Sequence, residues 1–265
     1  MSSERHVVIG AGHAGGRAVE AMRNAGFEGE IILVGAEGHL PYERPPLSKE
    51  ILQAKPDYTL PYIRPQEYFD EQKIELRLGV AATAIAPTEK TVTLANGEAL
   101  SYAKLLLTTG GRVRTLPLPG SDLDHVHYLR TLDEGHAIEA ALGEGKNLVV
   151  IGGGFIGLEV AASARQRGGS VTVLEIADRL MGRGVPHLIS QYFLDLHRGN
   201  GVDIRLGTGV ERIDGDGAVS GVTTSMGERL DADMVVIGVG IIPETVLAED
   251  AGLKVENGIV VDEFC

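Results

Sequence analysis

Hydrophobic positions fall into short apolar runs of strand length, separated by stretches in which they recur at helical spacing. Residues 6–10 (HVVIG) are the first run. A helix is predicted from about Ala14, with Ala18, Val19 and Met22 on its inner face and Gly26 near its end. Residues 31–35 (IILVG) form a second run, completing the strand–helix–strand order of a parallel βαβ unit. The order returns later: strand 148–152 (LVVIG), helix over about 156–167, strand 171–175 (VTVLE), helix over about 186–198 and strand 203–206. Short strands follow to about 230, then 234–239 (MVVIGV). Between the copies lie short strands at 74–78, 81–85, 91–94 and 105–109, with Asn96-Gly97 as a turn. A break at 116–120 (LPLPG) resembles a linker and precedes a helix over 132–142. The pattern predicts an α/β chain of duplicated architecture, since the leading glycines Gly10 and Gly152 stand 142 residues apart.

Residues 36–73 break the periodicity with LPYERPPLSKE and LPYIRP. So long an irregular segment inside a compact domain is more often functional than idle.

Composition narrows the possibilities. A length of 265 suits two domains, and 43% hydrophobic with 23% charged residues is an ordinary globular balance. No run of about 18 apolar residues predicts a membrane span. The start MSSERHVVIG enters a strand without the apolar core of a secretory signal, which predicts a cytoplasmic protein. A net charge of −13 without a basic run argues against nucleic acid or an anionic membrane as partner. Cys265 is the only cysteine and the last residue, so no intrachain disulfide, CxxC redox pair or thiolate metal site can form.

The chemistry concentrates in two glycine turns, Gly10-Ala11-Gly12-His13-Ala14-Gly15 and Gly152-Gly153-Gly154-Phe155-Ile156-Gly157. In such a turn the first glycine permits the sharp strand-to-helix bend. The second lets backbone approach a pyrophosphate, and the third lets helix and strand pack closely. Backbone amides and the positive helix end then meet the phosphates. Each turn follows a predicted strand, opens a helix and precedes an acidic residue: Glu37 lies 22 residues beyond Gly15, and Glu175 lies 18 beyond Gly157. Such a carboxylate can take both hydroxyls of an adenosine ribose and repels a 2′-phosphate. Glu175 therefore favours NAD over NADP, although Arg179 and Arg183 lie near enough to reach a phosphate.

VVIGAGHAGG, LPYERPPLSKEIL, LLLTTGGRVRTLPLPG, HYLRTLDE, VVIGGGFIGLEVA and MVVIGVGIIPET together resemble the FAD-dependent NADH:ferredoxin reductases that serve cytochrome P450 and aromatic-ring dioxygenase systems. The resemblance implies two Rossmann-like domains of the FAD/NAD(P)-binding, glutathione reductase-like type, built as three ββα layers. It implies FAD at 1–115, completed by about 241–265, and NAD at 116–240. FAD then meets Gly10, Gly12, Ala14, Gly15, Glu37, Pro46, Lys49, Ala82, Thr109, Gly110 and Arg130, with Arg44 as phosphate clamp or, more simply, loop brace. NAD meets Gly152, Gly154, Ile156, Gly157, Glu175, Arg183 and Gly240. Lys49 and Glu159 are the candidate catalytic pair, and Glu159 is placed in the first turn of its helix. Relatives often carry an acidic residue where this chain has Ala36. The family also continues with a strand ending in Gly-Asp and a third, ferredoxin-docking domain, both expected beyond GIVVDEFC.

Hydride transfer between stacked nicotinamide and flavin rings needs no side-chain nucleophile. That fits Pro45-Pro46-Leu47-Ser48, which stand where disulfide reductases carry a redox cysteine pair. The partner implied is a [2Fe-2S] ferredoxin, with an oxygenase served indirectly and no metal site in this chain. Arg64 reads as a solvated surface charge, and His13 has no acid–base role. The residues leave open a monomer or a homodimer. They also leave open the flavin subunit of another NADH-fed system, such as a nitrite reductase, and a redox-slow flavoprotein like apoptosis-inducing factor. A Baeyer–Villiger monooxygenase is disfavoured because tryptophan is absent.

Overall fold

The computed structural model describes residues 4–265. They form two compact units, one of 4–43, Leu60–Arg112 and Ile242–Cys265, the other of Arg44–Thr59 and Val113–Ile241.

The first unit is built on a parallel sheet in the order Ile74–Leu78, Glu30–Gly35, Arg5–Ile9, Lys104–Leu107. Its central strands are apolar at successive positions because both faces are covered. Val7, Ile9, Ile32 and Val34 meet Val92, Leu94 and Leu100 of an antiparallel sheet formed by Ala82–Ala86, Thr91–Leu94 and Ala99–Ser101. Val8, Ile31 and Leu33 turn to the other face, against Val19 of the helix His13–Asn24 and Phe69 of the helix Gln66–Glu71. Each of these fully buried aliphatics contributes about 1.5–3 kcal/mol on leaving water. The result is three layers: antiparallel sheet, parallel sheet, helices.

The second unit repeats the plan. Asp203–Leu206, Ser170–Glu175, Asn147–Ile151 and Met234–Ile237 lie parallel in that order, with Val126–His127 as a fifth, outer strand. Val149, Ile151, Leu174, Val235 and Ile237 pack on Ile213, Val219 and Val222 of the antiparallel layer Val210–Asp216, Ala218–Thr224, Arg229–Asp231. The helices Phe155–Gln166 and His187–Gly199 connect the parallel strands. The duplication holds at the level of register: Ile9 faces Val34, and Ile151 faces Leu174.

Three readings of the sequence change. The stretch 116–120 is not a free linker, because Leu116 and Leu118 pack on the core of the second unit. Gly120 in it has φ +81°, and a Cβ there would stand 2.1 Å from the Ile213 carbonyl oxygen. The irregular segment contains a 3-10 turn, Pro45–Ser48, and the six-residue helix Gln66–Glu71, both too short to show a period. Residues 44–59 also sit with the second unit, which the chain enters again after Arg112. No helix among the described residues is long and apolar enough to cross a membrane.

Candidate functional site

The first turn is held by its own backbone. The Gly10 amide donates to the Val34 carbonyl at 2.8 Å, and Gly10 has φ +109°. A Cβ on Gly10 would lie 2.2 Å from the Thr108 carbonyl oxygen, and one on Gly15 would lie 1.9 Å from that of Gly10. Close packing excludes side chains at both positions. The Thr108 hydroxyl lies 3.0 Å from the Ile9 and 2.8 Å from the Gly10 carbonyl oxygen, tying the turn to the neighbouring strand.

The second turn matches. Gly152 has φ +111°, its amide donates to Leu174 O at 2.8 Å, and a Cβ on Gly157 would stand 2.1 Å from Gly152 O. Gly154 differs. The nearest atom to a Cβ there is Gly238 O at 3.9 Å, so nothing in the protein itself demands a glycine. The room beside its backbone is open for a ligand.

The helix starts reinforce this. Both His13–Asn24 and Phe155–Gln166 begin at a glycine cap with no side-chain cap bond and no acidic residue in the first turn. By contrast Leu132–Ala141 carries a full capping box. There the Thr131 hydroxyl accepts the Glu134 amide at 3.3 Å, and the Glu134 carboxylate accepts the Thr131 amide at 2.8 Å. The two glycine turns thus present unpaired first-turn amides at the positive end of a helix dipole, the chemistry that holds a phosphate. These residues fit dinucleotides.

The acidic partners differ between the copies. Glu175 ends its strand, and its carboxylate accepts the Gly153 amide at 2.7 Å and the Ala177 amide at 2.8 Å. In register the first unit has Gly35 at this place, where a Cβ would collide with the Ala11 methyl at 2.5 Å. The bulk is exchanged: alanine in the turn with glycine on the strand in one copy, glycine in the turn with glutamate on the strand in the other. Glu37 stands two residues past the strand Glu30–Gly35, where its carboxylate accepts the Tyr42 hydroxyl at 2.5 Å and its carbonyl accepts the Gly79 amide at 2.9 Å. Ala82 opens the strand just beyond that connection.

The remaining FAD candidates divide between the units. Thr109 and Gly110 are tethered within the first, the Thr109 hydroxyl donating to Glu244 O at 2.6 Å and the Glu244 amide to Gly110 O at 2.9 Å. Arg44, Pro46, Lys49 and Arg130 belong to the second unit. There Arg44 donates to the Arg130 carbonyl, and the Arg130 amide donates to Glu134 at 2.7 Å. Among the NAD candidates, Ile156 is exposed at the helix start, Gly240 is exposed with φ +109°, and Arg183 is exposed. Arg179 is committed elsewhere, its guanidinium donating to the carbonyls of Val185 and Gly182 and closing that loop.

Lys49 and Glu159 come together in the second unit, Nζ to Oε2 at 2.8 Å. The Ser48 hydroxyl donates to the same oxygen at 2.5 Å. Glu159 is the fifth residue of its helix, not a first-turn residue, so its position is explained by these partners and not by the dipole. Arg64 is not a free surface charge: it pairs with Glu20 and covers the Tyr68 ring at 5.4 Å, holding the Glu20 carboxyl below its ordinary range.

Sequence reasoning missed Thr108, Ser48, Ser163 and Arg167. The one available signal was polar residues at 159, 163 and 167, spaced by four along the helix Phe155–Gln166 and its C-terminal cap.

Two Rossmann-type turns on duplicated three-layer units give the chain two candidate dinucleotide sites. The model of the pyridine nucleotide-disulphide oxidoreductase family matches residues 4–265, and the chain belongs to that family. It is 47% identical to rhodocoxin reductase of Rhodococcus erythropolis over 97% of this chain and 61% of the relative. It is 41% identical to putidaredoxin reductase of Pseudomonas putida over 99% of this chain and 64% of the relative. The crystal structure of a covalent putidaredoxin reductase–putidaredoxin complex superposes with a TM-score of 0.95 at 40% identity, covering 99% of this chain and 64% of the other. The chain thus spans a little over three fifths of the length of these relatives.

Proposed function

We propose that the first unit binds FAD at the turn 10–15, that the second binds NADH at 152–157, and that the chain is the two-nucleotide part of an NADH-dependent reductase feeding a [2Fe-2S] ferredoxin of an oxygenase system. The observation that carries this reading is the doubled turn, with uncapped helix starts and φ of +109° and +111° at Gly10 and Gly152. The ferredoxin rests on the chain's likeness to rhodocoxin and putidaredoxin reductases.

Bound, the pair supplies hydride transfer from nicotinamide to flavin and release of single electrons. The chain's own residues do the rest. Amides of the two turns hold the pyrophosphates, with Gly10, Gly12, Ala14 and Gly15 on one and Gly152, Gly154, Ile156 and Gly157 on the other. Glu175, fixed by two backbone amides, presents its remaining lone pairs to ribose hydroxyls and opposes a 2′-phosphate. Lys49 carries an ammonium paired with Glu159 at 2.8 Å, a group that would offset negative charge on a reduced flavin. On this reading no electrons pass through a cysteine pair, of which this chain has none.

The test is to load the chain with FAD and titrate it anaerobically with NADH. Loss of the oxidised-flavin absorbance, followed by reduction of an added ferredoxin, is the expected result. A chain that binds FAD and stays yellow sinks the proposal.

A further inference from the structure

One face of the helix Phe155–Gln166 and its C-terminal cap does a second job besides opening the nucleotide turn. Residues 159, 163 and 167 lie four apart, so they stack in one row down the helix. All three reach the same short segment, 48–52: Glu159 through its side chains, Ser163 and Arg167 through its carbonyls. The Glu159 carboxylate takes the Ser48 hydroxyl at 2.5 Å and the Lys49 ammonium at 2.8 Å. The Ser163 hydroxyl donates to Ser48 O at 2.8 Å, and Arg167 donates to Leu52 O at 3.2 Å. The Arg167 guanidinium is itself anchored on Glu139 O at 2.7 Å.

Ser163 is the telling member. It is 1% exposed, in a helix where Val160, Ala161 and Ala164 are equally buried. A serine there forgoes apolar contact, and its hydroxyl is satisfied by a carbonyl 115 residues away in sequence. The gripped segment needs such support. The turn Pro45–Ser48 is only four residues long, too short for its own hydrogen bonds alone to fix Lys49. Leu47 and Ile51 bury the segment's apolar side, while the row on the helix fixes its polar side.

We propose that Ser163 and Arg167 are positioning residues for Lys49: gripping the carbonyls of Ser48 and Leu52, they hold the intervening backbone, so the ammonium keeps its place at Glu159. The helix that begins at the nucleotide turn also carries this grip, so one rigid element locates both the turn and the lysine. The catalytic consequence rests on the hydride-transfer reading. The grip itself does not.

The experiment is therefore run in two arms. In the first, the chain without cofactors is treated with trace acetic anhydride, and acetylation of Lys49 is compared with that of exposed Lys90 by mass spectrometry. Ser163→Ala and Arg167→Met are expected to raise Lys49 labelling about two- to tenfold, the effect of losing one intramolecular hydrogen bond, with Lys90 unchanged. Arg167→Lys, which keeps one donor, should fall between. Ser163→Ala removes a single atom and guards against a folding artefact in the arginine variant. In the second arm, the FAD-loaded variants are mixed with NADH. Flavin reduction should slow by a similar factor while the KM for NADH stays unchanged. Unaltered Lys49 labelling in both variants overturns the grip. Raised labelling with a wild-type reduction rate overturns the positioning role and leaves the row merely structural. Should the wild-type chain not reduce flavin at all, the hydride-transfer reading fails, and the labelling arm still decides the grip.

Discussion

Replacing Gly154 or Gly157 by alanine separates a glycine kept for a ligand from one kept for packing. At Gly157 the added Cβ would stand 2.1 Å from Gly152 O, about 0.9 Å inside the 3.0 Å limit that real Cβ contacts respect. The carbonyl belongs to the turn and cannot swing aside, so the helix must lift from the strand. Overpacking of this kind costs roughly 1–3 kcal/mol, with the upper end expected against backbone. At about 2–4 °C per kcal/mol for a chain of this size, that lowers Tm by roughly 4–10 °C. At Gly154 the nearest atom is 3.9 Å away and the backbone, φ −83° and ψ −177°, admits any residue. Alanine there should leave Tm nearly unchanged, because the about 0.4–1 kcal/mol gained by restricting the unfolded chain is offset by alanine being a poorer helix cap than glycine. Its methyl nevertheless fills the room into which the uncapped amides point. Losing one charge-assisted amide–phosphate bond, about 1.5–3 kcal/mol, weakens NADH binding roughly ten- to a hundredfold. Differential scanning fluorimetry without nucleotide and NADH titration by calorimetry read the two effects independently. If Gly154→Ala binds NADH as the wild type does, or melts as early as Gly157→Ala, the reasoning is wrong.

Three further outcomes are expected. Glu175→Ala should erase the preference for NADH over NADPH in a binding titration while leaving flavin content unchanged; loss of flavin in this variant would mean the two sites have been exchanged. Thr131→Ala removes the capping box of Leu132–Ala141 and should cost about 1 kcal/mol in urea unfolding, whereas no shift in midpoint would show the cap to be idle. Burial holds His127 and His197 below the ordinary histidine range, so the folded chain takes up these protons less readily than the unfolded one. Stability is then full above about pH 6.5 and declines below it, by at most about 1.4 kcal/mol per pH unit for each histidine. His197→Gln should flatten that acid limb, and an identical limb in the variant contradicts the assignment.

The parallel sheets and both glycine turns were legible because a strand buried on two faces is apolar at every position and the turn chemistry is local. Strand ends agreed to within a residue or two for the same reason. What the sequence hid was long-range or short-lived. Val126–His127 is two residues long, and only its pairing with Val235 and Val236 makes it a strand. Leu116 and Leu118 looked like linker because prolines flank them, yet burial against Val222 and its neighbours overrides that signal. The exchange of bulk between Ala11–Gly35 and Gly153–Glu175 is visible only once the register is known. The grip of Ser163 on Ser48 spans 115 residues, beyond any local pattern.

The most direct measurement is a single-turnover, anaerobic reduction of the FAD-loaded Cys265→Ser chain by NADH deuterated at C4 of the dihydronicotinamide. Transfer between juxtaposed rings predicts complete flavin reduction by one equivalent of NADH, slowed by deuterium and indifferent to the missing thiol. A flavin that remains oxidised, a rate blind to deuterium, or activity abolished by the serine would each contradict that account.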